Sequence, residues 1–204
     1  MWLRLLCVCS LFLLIACQSL PVDHSKVEKE NKKNYLLQIL DKKMKQEAYS
    51  FIIKTTRDQF HGKLNGENWE IKKENHFSLE KKENKIQLKK GTESEELLVD
   101  QLGLISPRDH FLLVKEAGKL IHQPENISWE KKQAKKLNVP INHEKLSERL
   151  KKRFLSNKPV IQLSEKVKVV YQFIYIPDTY DLKQMSIRLQ TVQGSVQEVT
   201  YLFS

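Results

Sequence analysis

Beyond residue 17 the chain contains no cysteine; its three lie at Cys7, Cys9 and Cys17. Everything after that point is therefore without disulfides, thiolate-ligated metals and cysteine nucleophiles. Long apolar runs are almost as scarce. Only Leu5–Ala16, broken once by Ser10, runs to about a dozen residues, short of the ~20 that a bilayer-spanning helix needs. Glycine and proline number six each in 204 residues, and no repeat, low-complexity block or flexible linker interrupts the body of the chain. Arginine is also sparse, with six against twenty-nine lysines. The formal net charge of +10 is therefore carried by strongly hydrated ammonium groups rather than by the bidentate forks that read phosphates. Such a charge reads as a solvated lysine-rich surface, with attraction to an anionic membrane surface as the alternative, and not as a nucleic-acid interface.

Catalytic patterning is missing too. The six histidines are His24, His61, His76, His110, His122 and His143. None pairs at i, i+4, and there is no H-E-x-x-H. G-x-S-x-G, G-x-G-x-x-G and the P-loop pattern do not occur. Glu95-Glu96 reads as a solvated face, and Trp69 and Trp129 as core anchors. The expectation is a non-enzyme with no catalytic residue, no metal site and no cofactor.

What is present begins at the N-terminus. Arg4, the apolar run and a small residue before Cys17 have the layout of an export signal. Leu14-Ile15-Ala16-Cys17 resembles the lipobox of bacterial lipoproteins. That resemblance implies cleavage of residues 1–16 and a diacylglyceryl group on Cys17, so that the protein is anchored to a membrane on its extracytoplasmic face. Gln18, in place of Asp, would permit the outer membrane in a cell that has two. Residues 17–32 read as the lipidated cysteine and a polar tether. Thirteen residues of it span about 40 Å at ~3.3 Å each.

Residues 33–204 read as a single domain. Leu36, Leu37, Ile39, Leu40 and Met44 make one helical stripe with Lys and Asp opposite. YSFIIKTTRDQF is rich in aromatic and β-branched residues, as strands are, and His61-Gly62-Lys63-Leu64-Asn65-Gly66 reads as a turn after it. NWEIK, NHFSLEKK and NKIQLKK alternate apolar and polar residues, as antiparallel strands covered on one side do. SEELLVDQLG reads as a short helix ending at Gly103. Ser106-Pro107-Arg108-Asp109 opens a helix, with Ser as N-cap and Pro at its first position, and Gly118 ends it. Residues 121–140 read as irregular. Asn142 caps HEKLSERLKKRF, with Leu146, Leu150 and Phe154 inward. VKVVYQFIYI, DLKQMSIRLQTV and SVQEVTYLFS then make a closing meander.

This order of elements resembles the lipoprotein-localisation-factor superfamily, the LolA-like and LppX-like lipoproteins. The resemblance covers most of residues 33–204. It implies an α+β fold in which a curved antiparallel sheet, an unclosed barrel, wraps around helices. In that family the concave face holds acyl chains or a partner protein. Carried over, Phe51, Ile53, Trp69, Ile71, Phe77 and Leu79 line such a cavity and the helices form its lid. The implied function is binding or carrying lipid in the cell envelope. The many lysines on the strands and the modestly apolar middle depart from lipid carriers. They leave a second reading: a filled core in a structural or partner-binding lipoprotein of envelope or spore assembly or germination.

Overall fold

Strict alternation obliges a strand to bury one face, and eleven strands satisfy that obligation here by sharing one sheet. The computed structural model describes residues 35–74, 76–98, 104–119, 123–153, 167–191 and 193–204. All belong to one unit, Lys32–Ser204. The signal, Cys17 and the tether lie outside the described residues.

The strands are β1 (Ala48–Lys54), β2 (Gln59–Asn65), β3 (Asn68–Lys73), β4 (Phe77–Lys82), β5 (Lys85–Lys90) and β6 (Glu93–Leu97), then β7 (Glu125–Trp129), β8 (Lys132–Pro140), β9 (Val167–Ile176), β10 (Asp181–Thr191) and β11 (Val196–Phe203). Their spatial order is β6-β5-β4-β3-β2-β1-β11-β10-β9-β8-β7. Two meanders therefore run outward from a central seam, where β1 pairs antiparallel with β11 in the register Phe51 opposite Phe203 and Ile53 opposite Tyr201. Among the described residues the edges β6 and β7 are not joined, so the sheet is unclosed and antiparallel, as the α+β expectation required.

Three helices are described. The first, α1, occupies 35–44; α2 is Pro107–Ala117 and α3 is His143–Arg153. Leu36, Ile39 and Leu40 of α1 are buried, as are Phe111, Leu113 and Val114 of α2 and Leu146 of α3. The inner face of the sheet meets them through side chains such as Phe203, whose ring lies 6.0 Å from that of Phe111. The buried α1 stripe makes this helix part of the core. Ser106 caps α2 by accepting from Asp109 N, as its sequence proposed. Gly118 stops α2 in an extended conformation, and an added Cβ there would stand 2.5 Å from the Val114 carbonyl oxygen. Asn142 Oδ1 accepts from Lys145 N at the start of α3. Phe154 and Gly103 fall outside the described residues.

Four readings are corrected. Residues 61–65, read as part of a turn, belong to strand β2, which pairs with β1 and β3. Residues 93–97 form the edge strand β6, with Leu97 opposite Ile86, in place of a helix. Its four Glu and Ser residues favour helix locally, yet charged side chains also suit an edge strand that must resist pairing with strangers. Residues 125–140, read as irregular, form the hairpin β7–β8. Its turn, Glu130-Lys131, has positive φ at both residues (49° and 66°) without Gly, Asn or Asp. The usual hairpin signal is absent from the sequence for that reason. Among the charges opposite the α1 stripe, Lys43 is also corrected: it is buried with the apolar residues.

Candidate functional site

The six residues expected to line a cavity do share the inner face. Phe51, Gly62, Ile71 and Leu79 stand opposite one another across β1 to β4, forming one row. Gly62 is required there because the Phe51 ring lies over it; a Cβ on Gly62 would come within 2.2 Å of that ring. Ile53 and Trp69 are buried beside this row, and Phe77 is half-buried, edge-on to Phe60 at 5.7 Å. Five of the six belong to a hydrophobic core shared with Ile39, Leu40 and Phe111, and Phe77 packs against it. They act here as packing.

Open space lies elsewhere. A recess of about 590 Å³ opens where α3 meets the ends of β8, β9 and β10. Ile141, Leu146, Val167 and Val169 make its wall largely apolar, and His143 and Lys168 stand among its lining residues. Its size falls within the ~300–1,000 Å³ of ordinary ligand sites. Sequence reading missed these residues because they come from four separate elements, although Leu146 was placed inward correctly. A second groove, of about 430 Å³, lies on the outer face over Ile52 and Leu202, beside His61, Lys63 and Lys72.

The interior also carries one polar knot. His110 of α2 has Nδ1 2.7 Å from the Tyr171 hydroxyl and Nε2 3.2 Å from the Tyr201 hydroxyl. Tyr201 donates its own proton to the Ile105 carbonyl at 2.9 Å. Its oxygen therefore accepts from His110 Nε2–H, and Tyr171 donates to Nδ1. Burial pushes both phenols well above their ordinary pKa. This arrangement holds α2 in register on β9 and β11, because a buried polar group left unmatched costs ~1–3 kcal/mol. It contains neither an activated nucleophile nor an open position. Among the described residues no three His, Cys, Asp or Glu side chains converge on a metal-sized site, and no helix is long and apolar enough to cross a membrane.

The sheet and helices share their fold with a solved lipoprotein structure. LppX, a lipoprotein of Mycobacterium tuberculosis, superposes with a TM-score of 0.56 at 11% identity, over 86% of this chain and 94% of that chain. LprF from Mycobacterium bovis aligns at TM-score 0.49 and 9% identity, over 86% and 92% of the two chains. A chain of the Pseudomonas aeruginosa MucA/MucB complex aligns at 0.42 and 10%, over 85% and 55%. No protein-family model and no curated protein sequence matches the chain. At such identities the likeness to LppX is one of fold and carries no residue across.

Proposed function

We propose that the protein is a membrane-anchored, extracytoplasmic lipoprotein that binds the acyl chain of a lipid, without catalytic activity of its own. The observation that carries the reading is the apolar recess between α3 and the ends of β8–β10. Burial of acyl methylenes there, at ~25 cal/mol per Å² of apolar surface, supplies the driving force. His143 and Lys168, among its lining residues, suit a polar head near the wet side. The lipobox at Cys17 supports the anchor, and the LolA-like fold, shared with a mycobacterial lipoprotein, supports the envelope setting.

The test is native mass spectrometry of the purified protein together with displacement of a fluorescent fatty acid. Saturable uptake, abolished by Val169→Trp in the recess and retained in Leu79→Met in the core, is the expected result. A bare polypeptide with no uptake would remove the reading. The packing of the six inner-face candidates into the core favours a second reading, a partner-binding lipoprotein with a filled interior. That reading predicts no lipid uptake and capture of an envelope protein. The anchor is tested separately: Cys17→Ala should abolish incorporation of labelled acyl chains.

A further inference from the structure

The sheet ends in two open edges, and the charges around them are opposite. Among the described residues neither β6 nor β7 has a second strand beside it. Each is five residues long, Glu93–Leu97 and Glu125–Trp129. A strand with one unpaired side presents a row of backbone N–H and C=O groups to any chain that can pair with them. Proline or a bulge often blunts such an edge. Neither strand contains proline, and each pairs with its inner neighbour without a register shift.

The β6 edge is acidic, with three glutamates and no cation. Glu96 is held by Lys85 at 3.2 Å. Glu93 and Glu95 are exposed and make no ion pair among the described residues. The hairpin that ends the sheet at β7 is basic, with Lys131, Lys132, Lys135 and Lys136. Lys136 is held by Glu125 at 2.5 Å. The other three lysines make no ion pair among the described residues.

The faces agree as well as the signs. Leu97 stands opposite the buried Ile86, so Glu93 and Glu95 share its concave side. Lys135 stands opposite the buried Tyr175, two residues from Leu137 of the core, and lies on the concave side too.

These charges decide which edges can meet. Two β6 edges would bring glutamates against glutamates, and two β7 edges would crowd lysines. Like charges on facing strands destabilise a pair. The β6 edge of one copy set against β7 of another extends the sheet with its concave side continuous. That contact brings Glu93 and Glu95 toward Lys135. It joins two unlike surfaces, so it repeats into a ring or filament and does not close as a twofold dimer.

We infer that β6 of one copy docks edge to edge on β7 of a second copy, giving a head-to-tail assembly selected by charge. The interface is independent of the acyl recess and stands or falls without it.

Sedimentation velocity of the full chain in a non-ionic detergent, over a range of protein concentrations, tests the inference. Species beyond the dimer are expected, growing with protein concentration and shrinking with added salt. Glu95→Lys and Lys135→Glu should each weaken association several-fold. An equimolar mixture of the two variants should recover it, because each then meets a complementary edge on the other. Lys63→Glu makes the same charge change on β2, away from both edges, and should leave association unchanged. Circular dichroism checks folding, and Lys132→Glu, at the exposed start of β8, repeats the test if Lys135→Glu does not fold. A monomer at every concentration, a dimer that grows no further, equal weakening by Lys63→Glu, or no recovery on mixing overturns the interface.

Discussion

The two meanders that flank the β1–β11 seam are built to different rules. The β1–β6 half has strands of five to seven residues, and burial alternates in its middle strands, as in Leu64 and Gly62 of β2 or Trp69 and Ile71 of β3. Its outer face is wet and laced with exposed pairs such as Lys85–Glu96. The half from β7 to β11 has a nine-, a ten- and an eleven-residue strand. In β9, Tyr171 through Tyr175 are buried without a break, on both faces. Its outer face carries a hydrogen-bonded polar row, with Gln172 donating to Asn138 at 3.0 Å and Ser186 bonding Thr200 at 2.9 Å. The half with local periodicity is a wall. The half that buries both faces of β9 receives the His110 bonds of α2, frames the recess and bends at the Lys183 bulge. The recess lies where the strands depart from simple alternation.

That contrast can be broken by mutation. Phe173→Ala, at the centre of β9, should cost about 3–5 kcal/mol, read as a lowered urea midpoint with unchanged slope. Gly62→Ala, in the wall half, should cost less, about 1–3 kcal/mol, because the Phe51 ring must swing aside to admit the methyl group. Tyr201→Phe leaves the Ile105 carbonyl without its donor and should cost about 1–3 kcal/mol in the same measurement.

Titration sharpens the comparison further. Burial lowers Lys43 from 10.5 to about 8. Between those values the folded chain holds fewer protons than the unfolded one, so its stability rises with pH across that window. Tyr171 and Tyr201 are pushed above their ordinary 10.0 by burial. Above pH 10 the folded chain holds more protons, and stability falls. Urea midpoints measured against pH should therefore climb above pH 8 and turn down past 10. Lys43→Met should remove the climb and leave the fall. The smallest effect belongs to the wall: Lys85→Ala on its exposed pair should leave the midpoint unchanged, since such pairs contribute almost nothing.

Legibility in the sequence follows the same division. Strands β1, β3–β5 and β9–β11 were readable because alternation or β-branched density records which face meets a core, whereas β2 was hidden because Gly62, there to admit the Phe51 ring, reads as a turn residue. The caps Ser106 and Asn142 were readable because capping is a contact within four residues. Strand β6 was misread because glutamate-rich composition favours helix locally, and pairing with β5 overrode it. The β7–β8 hairpin was hidden by a Glu-Lys turn with none of the usual residues. Of the candidate site, the common face of the six inner-face residues follows from strand alternation, which sequence records, but sequence could not say whether that face was covered. Lys43 offered one signal, a lysine at the i+7 position from Leu36 on an apolar stripe.

Local and pairwise chemistry along the chain thus determined the thiol-free body, the lysine-borne charge, the antiparallel α+β class and most of its elements. These depend on spacings of two to four residues, which a linear string records directly. Only the tertiary structure decided that α1 and α2 fill the concave face and that the open recess lies beneath α3. It also decided that Lys42 and Lys183 meet at Asp181, the first across more than a hundred residues of chain. Those outcomes depend on which surfaces exclude water from one another, and that is a property of the assembled sheet rather than of any segment in it.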